Sequence, residues 1–132
     1  MPTIDPTRIY EVKTTSGGSQ VCLLTPACVI NAAALNVVVV SAITGKRIRI
    51  MGWTAQTDSA TTTDIATFSL INGSGGSTIQ QALGVPSYGT GNFAEKEIKD
   101  CGYGETSTGV GLYINIGLKG LAITVYYIAY IP

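Results

Sequence analysis

The segment Leu121-Ala122-Ile123-Thr124-Val125-Tyr126-Tyr127-Ile128-Ala129-Tyr130-Ile131 decides the fold class. Side chains of an extended strand alternate between its two faces. Leu121, Ile123, Val125, Tyr127, Ala129 and Ile131 therefore line one face, and Ala122, Tyr126, Ile128 and Tyr130 the other. Both faces are apolar, and a strand of this kind left open to water is an aggregation site. A second sheet can cover one face. The other requires a neighbouring subunit, a loop of the same chain or a partner surface, so Tyr126, Ile128 and Tyr130 are the candidate intersubunit contacts.

Upstream, Val110, Leu112, Ile114 and Ile116 alternate with Gly111, Tyr113, Asn115 and Gly117, the pattern of a strand with one buried face. Ala66, Phe68 and Leu70 alternate in the same way before Asn72-Gly73, a strong signal for a tight turn. From Lys46 to Thr57, Ile48 and Ile50 face inward and Arg47 and Arg49 outward until Gly52 interrupts the run. A bulge at Gly52 would let Trp53 change sides. The Val-rich run from Val21 to Ile43 is punctuated by Thr25, Pro26, Asn31 and Asn36, and reads as buried core strands rather than a membrane helix. No helical stripe with caps exceeds two turns. Short apolar runs separated by turn clusters predict an all-β, antiparallel sandwich over 20–132. Residues 1–19, with Pro2, Pro6 and a Thr/Ser/Gly stretch around Ile9-Tyr10-Glu11-Val12, read as an extended N-terminal arm or edge strand.

A chain of 132 residues suits one domain with a core of its own. Charged residues make up only 12%, about half the usual share, so much of the surface is neutral or covered by a partner. Eight basic and eight acidic residues cancel, which disfavours nucleic acid and anionic membrane as partners. Met1-Pro2-Thr3-Ile4-Asp5-Pro6 lacks the basic and apolar regions of a secretory signal, so a soluble protein made in the cytoplasm is expected.

The chain has no histidine, which excludes Ser-His-Asp and Cys-His catalysis and any histidine metal ligand. Four of the six acids Asp58, Asp64, Glu95, Glu97, Asp100 and Glu105 fall in or beside the charged segment Glu95-Lys96-Glu97-Ile98-Lys99-Asp100, whose alternating signs suit a solvated strand or loop better than a catalytic cleft. Cys22, Cys28 and Cys101 are too few and too dispersed for a zinc site and read as free, buried thiols. The glycine clusters lack the sequence of a phosphate loop and read as turns. No enzyme, cofactor or metal is expected. Trp53, Tyr88, Phe93 and Tyr103 leave sugar stacking open as an alternative to roles in a core or an interface.

The segment Gly45-Lys46-Arg47-Ile48-Arg49-Ile50-Met51-Gly52-Trp53 resembles a strand of small tailed-bacteriophage virion proteins, in which a Gly-Lys-Arg-Ile-Arg run is followed by glycine and an aromatic residue. The order Gly102-Tyr103-Gly104-Glu105-Thr106, then Leu112 to Ile116, then Leu121 to Tyr127 is similar to the second half of that group, and Phe68-Ser69-Leu70 takes the place of its middle strand. The resemblance spans roughly 36–130. It implies a jelly-roll β-sandwich on the virion: a capsid decoration (cement) protein that binds the outside of the assembled head and bridges major capsid protein subunits. It further implies a homo-oligomer, with a trimer favoured and a dimer possible. Ile4, Arg8, Ile9, Tyr10 and Val12 of the arm are the candidate capsid contacts. The alternative in the same setting is a carbohydrate-binding or structural module of a head fibre or tail.

Overall fold

The computed structural model describes residues 8–132. Ten strands follow one another: β1 (Ile9–Lys13), β2 (Ser19–Leu23), β3 (Thr25–Asn31), β4 (Ala34–Val40), β5 (Arg47–Thr57), β6 (Ile65–Asn72), β7 (Thr78–Pro86), β8 (Ala94–Lys96), β9 (Leu112–Gly117) and β10 (Leu121–Tyr130). One 3-10 turn, Tyr88–Thr90, lies between β7 and β8. The protein is thus nearly all β, and each of its strand ladders is antiparallel. Two four-stranded sheets are ordered β3-β10-β5-β8 and β4-β9-β6-β7, and β1-β2 forms a separate hairpin.

The two sheets bury a common core. Ile48, Ile50, Trp53, Leu121, Ile123 and Val125 come from one sheet, and Phe68, Leu70, Leu112, Ile114 and Ile116 from the other. Trp53 meets Phe68 edge to face with ring centroids 4.8 Å apart, a geometry that aligns the positive ring edge with the negative ring face. Burial of each such side chain contributes about 1.5–3 kcal/mol.

The irregularity expected at Gly52 is present. Tyr126 pairs with Gly52 and Tyr127 with Ile50, which leaves Met51 as the extra residue of a bulge. Ile48, Ile50 and Trp53 consequently all reach the sandwich core, and Met51 turns to the opposite face. Gly52 is required by proximity: a Cβ there would stand 2.8 Å from the Lys96 carbonyl oxygen and 2.9 Å from the Ile98 Cδ1. The Asn72-Gly73 turn also forms, with Gly73 at φ 79° and the Asn72 side chain exchanging hydrogen bonds with Ser107.

The run from Val21 to Ile43 is not uniformly buried. It folds into the end of β2, then β3 and β4, and leaves Val21, Leu23, Ile30, Leu35 and Val38 exposed. High hydrophobicity on both faces of a strand does not distinguish inward from outward positions, so the core expectation holds for Cys22, Leu24, Val29 and Val40, with Ala27, Val37 and Val39 partly buried against the core. Among the thiols Cys22 is buried, whereas Cys28 and Cys101 are exposed, and all three are free.

Candidate protein-interaction surface

β10 has the two apolar faces read from its sequence, and both are covered from within the chain. Leu121, Ile123 and Val125 enter the sandwich core. On the other side Ile128 and Tyr130 join Met51, Cys22 and Leu24 in a second core, against which Tyr10, Val12, Ile98 and Tyr126 pack. The β1-β2 hairpin is the roof of this second core. Its pairs Tyr10↔Cys22 and Val12↔Gln20 alternate with Ile9↔Leu23 and Glu11↔Val21, so one face of the hairpin turns inward and the other outward.

This corrects the intersubunit assignment. Ile128 is 0% exposed and Tyr130 5% exposed, so neither reaches a second subunit, and Tyr126 packs on the same cluster. The cover predicted for this face is the protein's own N-terminal hairpin.

Polar contacts fasten the roof and its surroundings. Leu24 N–H donates to the Arg8 carbonyl, and the Gln20 side chain exchanges two hydrogen bonds with the backbone of Ile131, just past β10. Arg8 pairs with Asp100 and lies over the Tyr10 ring. Glu105 is held to β5 and β10 by the Arg47 Nη1 at 3.2 Å, the Arg49 Nε at 3.1 Å and the Tyr130 hydroxyl. The Arg49 guanidinium stacks 4.5 Å from the Tyr130 ring centroid. Burial by itself would raise the Glu105 carboxyl, but hydrogen bonds from Tyr130 and Arg49 outweigh it and hold the group below its ordinary range. Tyr130 is pushed up, first by burial and then by its bond to Glu105. Thr106 completes the anchor by accepting a hydrogen bond from the Ile48 N–H at 3.0 Å. These charges fasten chain segments to one another.

The sequence-derived arm contacts divide accordingly. Ile4 lies outside the described residues. Tyr10 and Val12 point into the second core and Arg8 is engaged with Asp100, so these three hold the hairpin in place. Ile9 points outward at 60% exposure, beside Leu23 at 54%, with Val21 at 69% two pairs further along the hairpin. Val21 and Leu23 were missed because the Val21–Ile43 run reads as core. The signal for them is relational: they sit opposite Glu11 and Ile9 in the hairpin register, and a single strand read alone does not show it. The division at residue 19 is displaced as well, since β1 pairs with β2 across it.

A shallow groove of about 250 Å³ occupies the unroofed half of the same sheet face, between Ile30, Phe93, Ala122 and Thr124. Of the aromatics considered for sugar stacking, Trp53 is buried at 3% exposure, and the Tyr103 hydroxyl donates to the Glu97 carbonyl. Tyr88, in the 3-10 turn, and Phe93, in the loop just before β8, remain exposed. No protein-family model matches the chain, and no curated protein matches it.

Proposed function

We propose that this protein is a jelly-roll capsid decoration protein, which binds the outer surface of an assembled phage head and stabilises it by bridging major capsid protein subunits. The observation that carries this reading is the outward face of the β1-β2 hairpin. One face of the hairpin is consumed in roofing β10, and the other presents Ile9, Leu23 and Val21 to solvent as an apolar patch beside Glu11, backed by the second core. A few exposed apolar anchors surrounded by polar residues are the usual core of a protein contact.

The strand order supports the jelly-roll assignment. Counting only the eight sandwich strands in sequence, the sheets run 1-8-3-6 and 2-7-4-5, the arrangement made by rolling a long antiparallel hairpin into two sheets. Viral capsid and lectin domains both use that fold. The resemblance of the Gly45–Trp53 strand to small virion proteins supports the capsid setting.

The mechanism is linkage. A protein that binds the intact shell and not its separated subunits shifts the equilibrium toward the intact shell, and repeated copies add their effects. The test is binding to expanded capsids assembled from the major capsid protein of the same phage. The double variant V21S/L23S keeps the inward residues of the hairpin, and its occupancy is expected to fall at least about tenfold, the equivalent of 1.4 kcal/mol. Undiminished occupancy by a folded double variant overturns the hairpin as the contact, and absence of wild-type binding overturns the capsid reading.

A further inference from the structure

The sixteen charged residues are distributed unevenly. Residues 14–45, 65–94 and 106–118 contain no Asp, Glu, Lys or Arg. Those blocks include all of β4, β6, β7 and β9, so the four strands of one entire sheet carry no charge. The opposite sheet contains Arg47, Arg49, Glu95 and Lys96 within its strands. Ordinary solvated sheet faces carry charges that keep them soluble and block edge-to-edge pairing. A whole face without any has the composition found at the centre of protein interfaces, where charged residues are depleted.

The outer face of this sheet is uneven. Its outward residues form transverse rows fixed by the strand register. Asn115, Ser69 and Gln81 make one row of neutral hydrogen-bonding groups, while Val38 stands beside Tyr113 in the next. The middle strands are low where Gly117 pairs with Thr67: a Cβ on Gly117 would stand 2.6 Å from the Thr67 hydroxyl. The edge strands are high, with Val38 on β4 47% exposed and Leu83 on β7 72% exposed.

The area is sufficient. Four strands about 4.8 Å apart and six to nine residues long at ~3.3 Å per residue cover roughly 19 by 25 Å. Pairing two such faces removes on the order of 1,000–1,400 Å² of accessible surface, at the lower end of stable specific interfaces. An isologous contact also brings one charge-free face against another, so no ion loses its water without a partner.

We propose that two copies of this chain associate back to back through the outer faces of their uncharged β4-β9-β6-β7 sheets. The inference is independent of the capsid reading and is tested on the purified full-length chain alone. Sedimentation velocity between roughly 1 and 100 µM should show a concentration-dependent dimer, as expected for affinities in the micromolar range. Leu83→Lys and Val38→Lys place a charge on each ridge, and each should weaken the dimer at least about tenfold. V21S/L23S on the hairpin should leave the dimer unchanged. Far-UV circular dichroism and thermal melting at low concentration establish that both lysine variants remain folded, and Leu83→Gln serves as the milder substitute if either does not. A wild-type monomer throughout the range overturns the proposal. So does a trimer, or a dimer that persists in the folded lysine variants.

Discussion

The outer face of the β3-β10-β5-β8 sheet is roofed over half its length by a hairpin of its own chain and bordered by the Arg47-Arg49-Glu105-Tyr130 cluster. The outer face of the β4-β9-β6-β7 sheet is bare of charge in its strands and carries Val38 and Leu83 exposed. The difference shows how one small sandwich handles two apolar surfaces. Where the outward residues are large and continuous, as Tyr126, Ile128 and Tyr130 are, the chain returns to cover them. On the other sheet the outward side chains mix small or neutral-polar residues, such as Thr67, Ser69 and Asn115, with the exposed apolar Val38 and Leu83, and the face stays available for another surface. Charge clusters at the covered sheet because segments from distant parts of the chain must be fastened there, and partly buried ions hold them with charge-assisted hydrogen bonds.

The largest expected effect breaks this comparison at its centre. Ile128→Ala removes a fully buried side chain from beneath the roof and should cost about 2–5 kcal/mol of unfolding free energy. Leu83→Ala on the bare sheet deletes as much hydrocarbon from a 72% exposed position and should fall within about 0.5 kcal/mol of wild type. Urea unfolding of both variants, at a concentration low enough to exclude association, measures the contrast. Equal losses would mean that the roof does not seal β10.

A smaller effect probes the fastening. Glu105→Gln keeps the shape of the side chain and removes its charge, so the bonds from Arg47, Arg49 and Tyr130 weaken and Arg49 loses its counter-ion. The expected loss near neutral pH is about 1–3 kcal/mol. Because the folded chain holds Glu105 below its ordinary value of 4.5, the carboxylate's contribution is complete above that pH and is lost as the pH falls through the folded value. Wild type and variant should therefore differ clearly in urea midpoint at neutral pH and converge in strong acid. Tyr130 works at the other end of the scale: its raised value gives a contribution complete below 10.0 and lost as the pH rises through the folded value. A pH-independent difference between wild type and Glu105→Gln would assign the effect to packing alone.

How much of this was legible before folding follows from which contacts are local. The alternation of Leu112, Ile114 and Ile116, the two apolar faces of β10, the bulge beside Gly52 and the turn at Asn72-Gly73 are patterns within a few residues, and each appears where its sequence places it. The identity of the cover over β10 was not legible. Tyr10 and Ile128 are 118 positions apart, and nothing between them states that the Thr14–Ser19 turn folds β1 onto β2 so that both meet the outer face of β10. An apolar strand announces that it needs a partner without specifying whether the partner is internal. The bare sheet was legible by a different route. Its charge-free blocks are visible in the sequence, but they become one surface only after β4, β9, β6 and β7 are placed side by side.

The smallest predicted effect concerns the rim between the two sheets. Leu118, between β9 and β10, has φ 68°, a left-handed conformation that side chains with a Cβ adopt at a cost of about 1 kcal/mol, and it is 69% exposed. An exposed leucine in that conformation gains little from burial in return. Leu118→Gly should therefore stabilise the isolated chain by up to about 1 kcal/mol, because glycine adopts the same φ without a steric penalty. The thermal midpoint at low protein concentration measures this gain. If the same variant also weakens self-association, Leu118 belongs to the contact formed by the bare sheet, and its strained conformation is held there by what it touches in the second copy. If the gain appears and association is unchanged, the paired face ends within β9, at the depression formed by Gly117 and Thr67.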